Sequence, residues 1–243
     1  MGALTLASGR AHVFVDDLAS PELDDDDFRH LTRVLRLGPG AEVTVSDGAG
    51  SWRACRLGIG PAAEVAGEIV TEPRPEPALT VAFAVVKGER PEMVVQKLTE
   101  VGIDHIVPFA AERSVVQWDE AKAARHHERF TIIARQAAMQ SRRAYLPEVG
   151  KMVDFAAAAG LPGVAMADAG GQPPSLSVRA VLIGPEGGWS EAERAFRLPL
   201  VRLGAHTLRS ETAAITAGAL LVALRSRIVG VAVPAQVKGP HGT

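Results

Sequence analysis

Two consecutive segments of this chain share one plan, in which a short apolar run leads through a glycine loop into a helix start. The first is Ile183–Glu193, with the sequence IGPEGGWSEAE, and the second is Leu203–Ala213, with the sequence LGAHTLRSETA. Ala180–Ile183 is a short apolar run typical of a buried strand, and Ser190 with Glu193 makes the S-x-x-E pattern of a capping box. A strand, a glycine loop and a helix start in this order predict a ligand site at the edge of an α/β sheet.

The second segment precedes a helix that is predicted to be buried. Pro199–Leu203 is a strand candidate, Gly204 opens the loop, and Thr212–Val229 is apolar on most faces, as in a helix of the protein core. Arg209 and Glu211 come directly before this helix. Charged groups beside a core helix are costly unless they are paired or used. Both residues are therefore candidates for function, and a buried ion pair that orders the loop is the structural alternative.

The glycine loop does not match the common nucleotide-binding motifs. No Gly-Lys-Ser/Thr follows it, so it is not a P-loop, and Gly184, Gly187 and Gly188 do not fit the pattern G-x-G-x-x-G. Physical reasoning alone therefore predicts a loop site for a small ligand, with Glu186, Arg209 and Glu211 nearby. Two ordinary strand-to-helix turns are the alternative.

The paired motif resembles a known family. The pattern I-G-P-E-G-G-W-S-x-x-E, followed by L-G-x-x-x-L-R-x-E-T-A, is similar to that of the ribosomal RNA small subunit methyltransferase E family. These are S-adenosylmethionine-dependent enzymes of the SPOUT superfamily that methylate N3 of one uridine in small-subunit ribosomal RNA. Glu112–Val116 and Gln140-Ser141-x-Arg143 resemble further family motifs, so the resemblance covers most of the chain. One departure is His206, which stands where the family more often has arginine.

The resemblance implies that S-adenosyl-L-methionine is the cofactor and that three loops at strand ends bind it, namely Asp168–Gly171, Gly184–Trp189 and Leu203–Leu208. Glycine in such loops lets a ligand approach the bare backbone. The implied cofactor-binding residues are Asp168, Ala169, Gly170, Ile183, Gly184, Pro185, Glu186, Gly187, Gly188, Leu203, Gly204, Leu208, Arg209, Thr212 and Ala213.

The length and composition suit one large or two small globular domains. The chain has 243 residues, of which 47% are hydrophobic, and a formal net charge of −2, so bulk charge gives no indication of nucleic acid binding. The proline-rich stretch Glu72–Pro77 is typical of a semi-rigid linker. We therefore expect an N-terminal domain over residues 1–72, a catalytic domain over 78–233 and a flexible tail over 234–243.

Residues 1–72 contain several short strand candidates at a spacing that predicts a small barrel. The resemblance implies a PUA-like β-barrel used on RNA. One amphipathic helix, Phe28–Arg36, places Arg29, Arg33 and Arg36 on its polar side. With the resemblance, these arginines are predicted to contact phosphate, together with Arg142 and Arg143 of the second domain. A solvated helix face is the alternative.

From Ala78 onward, strand and helix patterns alternate, which predicts an α/β fold with a parallel sheet covered on both faces. The resemblance further implies a SPOUT-type catalytic domain that ends in a deep trefoil knot around the cofactor site. It also implies a homodimer through this domain, and the apolar excess of Thr212–Val229 agrees with such an interface.

The expected chemistry follows from the donor, whose sulfonium group carries an activated methyl group. The acceptor needs a lone pair and alignment with that methyl group. Uracil N3 is protonated near neutral pH, so its proton must leave to a carboxylate, or a cation must stabilise the uracil anion. Glu211 and Arg209 are the predicted catalytic residues.

Other functional classes have weaker sequence support. The adjacent histidines His126 and His127 diverge on a helix and lie outside any H-E-x-x-H motif, so no metal is expected. A single cysteine, Cys55, and the absence of a signal peptide pattern favour a cytoplasmic protein without membrane contact. The expected partner is ribosomal RNA or the small ribosomal subunit. The alternatives are a ribose 2′-O-methyltransferase on ribosomal or transfer RNA and a non-catalytic RNA-binding protein with a degenerate cofactor pocket.

Overall fold

The computed structural model describes Leu6 and residues 9–86, 90–114 and 118–229. The predicted tail over 234–243 and the last residues of the motif Glu112–Val116 lie outside the described residues. Among the described residues, no helix is long and apolar enough to span a membrane.

The N-terminal part is a five-stranded sheet with the order β1-β2-β3-β4, in which β5 also pairs with β3. Strands β1 and β2 are parallel and the other pairs are antiparallel. The strands are β1 Ala11–Phe14, β2 Glu42–Ser46, β3 Ser51–Leu57, β4 Ala63–Val65 and β5 Val70–Thr71. The sequence Asp47–Gly50 is typical of a hairpin turn, and it joins β2 to β3 with the Asp47 carboxylate accepting from the backbone N–H groups of Ala49 and Ser51 at 2.7 and 3.0 Å.

The sequence pattern over Glu64–Val70 predicts one strand, but the structure has two strands there. Strand β4 pairs with the C-terminal end of β3, and after a bend β5 pairs with the N-terminal end of β3. The guanidinium of Arg53 donates to the carbonyl of Gly67 through Nε at 3.0 Å and Nη2 at 2.7 Å. This contact fixes the bend between the two strands.

Helix α1, Asp25–Arg29, continues into a π-helical segment, His30–Val34. Asp24 caps the helix by accepting from the Asp27 backbone N–H at 2.7 Å. Leu31 is buried in the core of the N-terminal sheet. The helix predicted over Phe28–Arg36 is therefore present, and it begins earlier because the acidic run Asp24–Asp27 supplies its N-terminal cap, Asp24.

The C-terminal part contains a seven-stranded sheet in which every pair is parallel, with the order β12-β10-β11-β6-β7-β8 and β9 also on β7. Its strands are β6 Thr80–Ala84, β7 His105–Ala110, β8 Glu148–Val149, β9 Val153–Asp154, β10 Val164–Gln172, β11 Ala180–Ile183 and β12 Leu200–Val201. The predicted α/β fold with a parallel sheet is confirmed. The trefoil knot stays a prediction.

Helices cover both faces of this sheet. They are α2 Arg90–Val101, α3 Glu120–Gln140, α4 Phe155–Ala159, α5 Glu191–Arg194 and α6 Ser210–Arg225. Along β6, Val81 and Phe83 belong to a core cluster with residues of α2, α3 and α6, whereas Ala82 and Ala84 belong to a cluster with Phe155 of α4. Alternate side chains of a strand point to opposite faces, which is why one strand contributes to both cores.

Helix α6 begins two residues earlier than predicted and ends at Arg225. Arg225 is where the helix meets a buried carboxylate, because its guanidinium pairs with Asp104. The same guanidinium donates to the carbonyls of Gly102 at 2.8 Å and Pro77 at 3.2 Å. Asp104 also accepts from the Leu79 backbone N–H at 2.9 Å. This cluster joins the end of α6 to the first strand of the sheet and to the linker.

The segment that follows α3 holds the two parts of the chain together. Arg143 donates to the carbonyls of Thr99 and Ile103, both at 2.9 Å. The carbonyl of Ala144 accepts from the Ser46 hydroxyl and from the Gly50 backbone N–H, both at 3.1 Å. Burial lowers the pKa of Arg143 to about 10, which is far enough above 7 for the side chain to stay charged.

His12 lies at the centre of this contact and is only 3% exposed. Its Nε2 is 3.1 Å from the Arg143 carbonyl and its Nδ1 is 2.9 Å from the Thr44 hydroxyl. A carbonyl can only accept, so Nε2 carries the proton, and Nδ1 accepts from Thr44. Burial, followed by the charge of Arg142, lowers the pKa of His12 to about 4 against the partial compensation of the Arg143 carbonyl.

Protonation of His12 is therefore expected to destabilise the fold in mildly acidic solution. The unfolded chain binds this proton near pH 6.5 and the folded chain only near pH 4, so stability is complete above 6.5 and falls as the pH drops towards 4. The maximum loss is about 3 kcal/mol. Urea unfolding of wild type and His12→Gln between pH 4 and 7 measures it, and the variant should show the flatter pH dependence.

His30→Gln is the matched control, because His30 is exposed and the substitution is the same. Carboxylates that titrate in this range contribute equally to all three proteins. Identical pH slopes in wild type and His12→Gln would contradict the assignment.

Candidate active site

The carboxyl ends of β10, β11 and β12 meet at one edge of the C-terminal sheet. β10 pairs with both neighbours, and all three strands run parallel. The two glycine loops identified in the sequence follow β11 and β12 directly. Ligand sites of open α/β sheets lie at this edge, and the topology therefore agrees with the predicted position of the site.

The predicted loop Asp168–Gly171 is not a separate loop but a bulge within β10. Ala167 and Gln172 both face Val201 of β12, and the residues between them are extruded from the ladder. A Cβ atom on Gly171 would lie 2.5 Å from backbone atoms of Val201. Only glycine allows this close approach of two backbones, and the bulge re-aims Asp168 and Ala169.

A cavity of about 470 Å³ opens between this bulge and the loop after β12. That volume lies within the usual range for small-ligand and cofactor sites. The predicted cofactor-binding residues that line the cavity are Asp168, Ala169, Leu203, Gly204, Leu208 and Ala213. His206 also lines it. Two of the three predicted loops therefore form one cavity.

The third loop, Gly184–Trp189, does not line this cavity but contacts the segments on either side of it. Trp189 donates from Nε1 to the carbonyl of Ala167 at 3.0 Å, and the Ser210 hydroxyl donates to the carbonyl of Gly184 at 3.2 Å. Ile183 and Pro185 are buried, whereas Glu186 and Gly187 are exposed. This loop thus connects the bulge of β10 to the first residue of α6.

The glycines of this loop have distinct structural causes. A Cβ atom on Gly184 would lie 3.0 Å from the Trp189 ring, and one on Gly187 would lie 3.2 Å from the Cβ of Arg113. Gly188 has open space around it but a φ of +69°, which a β-branched side chain rarely adopts. Glycine is therefore required at Gly188 for the backbone conformation.

The predicted capping box is confirmed and reaches beyond α5. Ser190 and Glu193 exchange side-chain to backbone hydrogen bonds at 3.1 and 2.8 Å. The other oxygen of Glu193 accepts from the Glu112 backbone N–H at 2.9 Å. Arg194 pairs with Asp168 at 3.1 Å. The short helix therefore ties the loop after β7 and the bulge of β10 to one another.

Glu211, a predicted catalytic residue, is buried at the start of α6. Its residue exposure is 8%, and its Oε2 is enclosed without a hydrogen-bond partner among the described residues. Its Oε1 lies 3.8 Å from the Nε of Arg90, and Arg90 also pairs with Glu186. A buried carboxylate with unused acceptor capacity is a candidate proton acceptor.

The cation beside Glu211 is Arg90 and not the predicted Arg209. Arg209 is the N-terminal cap residue of α6, makes no side-chain cap and is exposed. Thr212 is likewise exposed, and Ala213 donates its N–H to the Arg209 carbonyl at 2.8 Å. Sequence reasoning misses Arg90, since it is about 120 residues before Glu211 in the chain. The one available signal is its position shortly after a sheet strand.

Comparison with known proteins shows the family of this chain. The model of the RNA methyltransferase domain matches residues 73–222, and that of the RNA methyltransferase PUA domain matches residues 23–61. The ribosomal RNA small subunit methyltransferase E of Mycobacterium bovis is 30% identical over 234 residues, covering 84% of this chain and 87% of that protein. The Bacillus subtilis protein of the same name is 29% identical, covering 84% and 90%.

The chain belongs to the ribosomal RNA small subunit methyltransferase E family. Among solved structures, the family member from Neisseria gonorrhoeae, bound to S-adenosyl methionine, superposes with a TM-score of 0.75 at 28% identity and covers 88% of this chain and 97% of its own. A putative methyltransferase from Legionella pneumophila, in complex with the same cofactor, gives a TM-score of 0.73 at 28% identity, with 87% and 96% coverage. The family and the PUA-like N-terminal domain predicted from the sequence are confirmed.

The five arginines predicted to contact RNA fall into two groups in this methyltransferase. Arg29, Arg33 and Arg36 are exposed on α1 and the segment after it. Arg142 instead donates to the carbonyl of Leu6 at 2.9 Å and to that of Gly9. Arg143 also binds main-chain carbonyls. The exposed arginines are therefore confined to α1 and the segment after it, and the arginines that follow α3 do not continue this surface.

Within the described ranges, no group of three or more His, Cys, Asp or Glu side chains could hold a metal ion. The pair His126 and His127 illustrates this. His126 stacks on Trp118 with ring centroids 3.9 Å apart, and the Nε2 of His127 lies 3.0 Å from the Val149 carbonyl. Both rings pack within the fold.

Gly171 in the bulge of β10 and Gly204 in the loop after β12 should respond differently to substitution. Gly171→Ala places a methyl group 2.5 Å from the Val201 backbone, and overpacking of this kind destabilises by about 1–3 kcal/mol. A Cβ atom on Gly204 would meet nothing within 4 Å, so Gly204→Ala should change stability by less than about 0.5 kcal/mol. Denaturant unfolding of both variants tests the bulge, and equal stabilities would contradict it.

Proposed function

We propose that this protein transfers the methyl group of S-adenosylmethionine to N3 of one uridine in small-subunit ribosomal RNA. Membership of the rRNA methyltransferase family supports the reaction class. The observation that carries the chemistry is the enclosed Glu211 carboxylate at the start of α6. Methylation at N3 of uracil requires removal of a proton, which a carboxylate can accept. The ribose 2′-hydroxyl also loses a proton when it is methylated, so the choice of N3 over that oxygen rests on the family resemblance.

The cavity fits the cofactor in size and in the character of its wall. It has a volume of about 470 Å³, and Gly204 leaves open space where a side chain would stand. We propose that the bulge of β10 and the loop after β12 hold the cofactor directly, with Gly184–Gly188 supporting them from behind. When bound, S-adenosylmethionine supplies an electrophilic methyl group on a sulfonium centre.

The residues around Glu211 suit it to accept the N3 proton. Its Oε2 has no partner among the described residues, so a lone pair is available. Arg90 lies between Glu186 and Glu211 and compensates the negative charge of both. We propose that Arg90 orients Glu211 through the contact between its Nε and Oε1. Arg209, exposed at the helix start, is proposed to contact the uracil or the RNA.

The N-terminal domain is proposed to bind RNA. It matches a PUA domain of RNA methyltransferases, and Arg29, Arg33 and Arg36 are exposed there. Asp26 pairs with Arg29 at 2.7 Å and Asp27 with Arg135 at 2.7 Å, so part of the acidic run is neutralised. Arg142 and Arg143 already bind main-chain carbonyls, and we limit the proposed phosphate contacts to the three exposed arginines.

The boundary between the two domains is proposed to lie at the linker Glu72–Pro77, between the N-terminal sheet and β6. The protein is proposed to act in the cytoplasm, where ribosomal subunits assemble. It is also proposed to be a homodimer through the C-terminal domain, where the outer residues of α6 are mostly half-buried and apolar.

The function is tested by isothermal titration with S-adenosylmethionine and by nucleoside mass spectrometry of small-subunit RNA. The RNA comes from a bacterial strain that lacks its own N3-methyltransferase. Wild type should bind the cofactor and produce 3-methyluridine. Gly204→Val places a branched side chain in the open part of the cavity, so it should lose cofactor binding and product together while staying folded. Formation of 2′-O-methyluridine instead would overturn the N3 assignment.

Replacement of Glu211 separates a catalytic from a structural role. Glu211→Gln keeps the shape and removes the base, so single-turnover methylation should fall about 10²–10⁴-fold with cofactor affinity nearly unchanged. If the residue only pairs with Arg90, melting temperature and cofactor affinity should fall together and the rate should follow them. Glu186→Gln is the matched control, because Glu186 contacts the same arginine but is exposed. A stable Glu211→Gln variant with wild-type turnover would remove Glu211 from the mechanism.

A further inference from the structure

A second large cleft lies beside the candidate active site, between α2 and α3. Its volume is about 770 Å³. Three glutamines, Gln96, Gln136 and Gln140, line it, and we call it the amide groove. All three are exposed, and no side-chain hydrogen bond joins them to any other described residue. Gln136 and Gln140 are one helical turn apart and therefore present their amides on the same face of α3.

The charged side chains of the groove are all paired, either within the groove or with a neighbour outside it. Glu92 binds Arg129, with 2.6 Å between carboxylate and guanidinium. Lys97 binds Glu100, with 2.7 Å between the ammonium and the carboxylate. The groups left with unused hydrogen-bonding capacity are thus the neutral amides. Met93 is 40% exposed and offers an apolar contact beside them.

The amide groove connects the candidate active site to the N-terminal domain. At one end is Arg90, which pairs with Glu186 and lies 3.8 Å from Glu211. At the other end, Gln136 and Gln140 also line a different cleft, of about 610 Å³. The N-terminal domain contributes Arg10 and His30, among others, to the wall of that cleft. The clefts share these two glutamines, so a strand can pass from one to the other.

We propose that the amide groove binds the unpaired RNA strand next to the target uridine and that its glutamines read base edges. This proposal rests on the proposed function and specifies how the substrate is recognised. An amide presents a donor and an acceptor side by side, which matches the paired donor and acceptor on a base edge. From Arg90 to Glu100, α2 is roughly 15 Å long, which is long enough for a few nucleotides of an unpaired strand.

A nucleic acid fits this surface better than a second protein chain does. The centre of a protein–protein interface is depleted of charged residues, whereas Arg90, Glu92, Lys97 and Glu100 all line this groove. Sequence-specific recognition of RNA uses unstacked bases whose edges are exposed. The groove offers hydrogen-bonding amides and an exposed methionine for such bases, and it leads directly to the candidate catalytic carboxylate.

The test uses the full-length protein and 5′-fluorescein-labelled eight-nucleotide RNAs, namely oligo(U), oligo(C), oligo(A) and a mixed sequence. Anisotropy titrations compare wild type with Gln136→Leu/Gln140→Leu. The double variant should bind its preferred oligonucleotide about 10- to 100-fold more weakly, and the preference among bases should shrink, because amide-to-base contacts of this kind carry discrimination of that order. The dependence of affinity on salt should stay as in wild type, since no cation is removed.

Two comparison proteins make the result specific. Ala124→Leu/Thr131→Leu adds two leucines to a different, exposed face of α3 and should bind RNA as wild type does. Arg29→Gln/Arg33→Gln/Arg36→Gln removes three cations and should lower the salt slope by about 0.7 for each phosphate that is no longer neutralised, while the base preference stays unchanged. A reduced base preference and a reduced salt dependence are thereby assigned to different surfaces.

The proposal is overturned if the glutamine variant keeps wild-type affinity and base preference in a folded protein. It is also overturned if light scattering shows that the glutamine variant alone changes the oligomeric state, because the groove would then be an interface between copies of the chain. The titrations involve no methyl transfer. Failure of the N3 assignment would therefore leave their outcome intact, and failure of the groove would leave the N3 product intact.

Discussion

The buried carboxylate of Asp104 is the interaction on which the arrangement of the whole chain depends. It accepts from the Leu79 backbone N–H, pairs with Arg225 and lies 4.0 Å from Arg143. Leu79 precedes the first strand of the C-terminal sheet, Arg225 ends α6, and Arg143 begins the segment that contacts the N-terminal domain. Removing one partner of a buried ion pair costs about 3–5 kcal/mol, because the other charge is left uncompensated. The pair therefore fixes three distant parts of the sequence with respect to one another.

This anchoring explains how the candidate site can be both open and accurately placed. Helix α6 is held at its last residue by Asp104 and packed along its length through Gly218, where an added Cβ would lie 2.7 Å from Leu98. Its first turn then presents Glu211 and Ser210 at the sheet edge, where the Ser210 hydroxyl binds the loop after β11. Rigid elements thus carry the candidate catalytic carboxylate, while the cavity is formed by a bulge and a loop that leave room for a ligand.

How well the sequence predicts a feature depends on how far apart in the sequence the interacting residues are. The capping box of Ser190 and Glu193 and the buried strand before it are predicted correctly, because their causes are local in sequence. The bulge at Asp168–Gly171 is predicted as a loop, since its cause is the close approach of Gly171 to Val201 on another strand. Arg90 is not predicted as a site residue for the same reason, because only the order of the strands in the sheet brings it next to Glu211. Arg143 is predicted to contact RNA because its sequence motif does not show that its guanidinium donates to the carbonyls of Thr99 and Ile103.

A net charge of −2 supplies no overall attraction for RNA, and the distribution of the charges compensates for this. Phosphate contacts supply affinity that carries no sequence information, whereas base contacts supply specificity. In this protein, carboxylates beside the candidate RNA surfaces are paired internally, as Asp27 is with Arg135 and Glu92 with Arg129. Pairing lowers the repulsion of phosphate without creating an excess of positive charge. Neutral amides next to such pairs can then contribute discrimination between bases, which phosphate contacts alone do not supply.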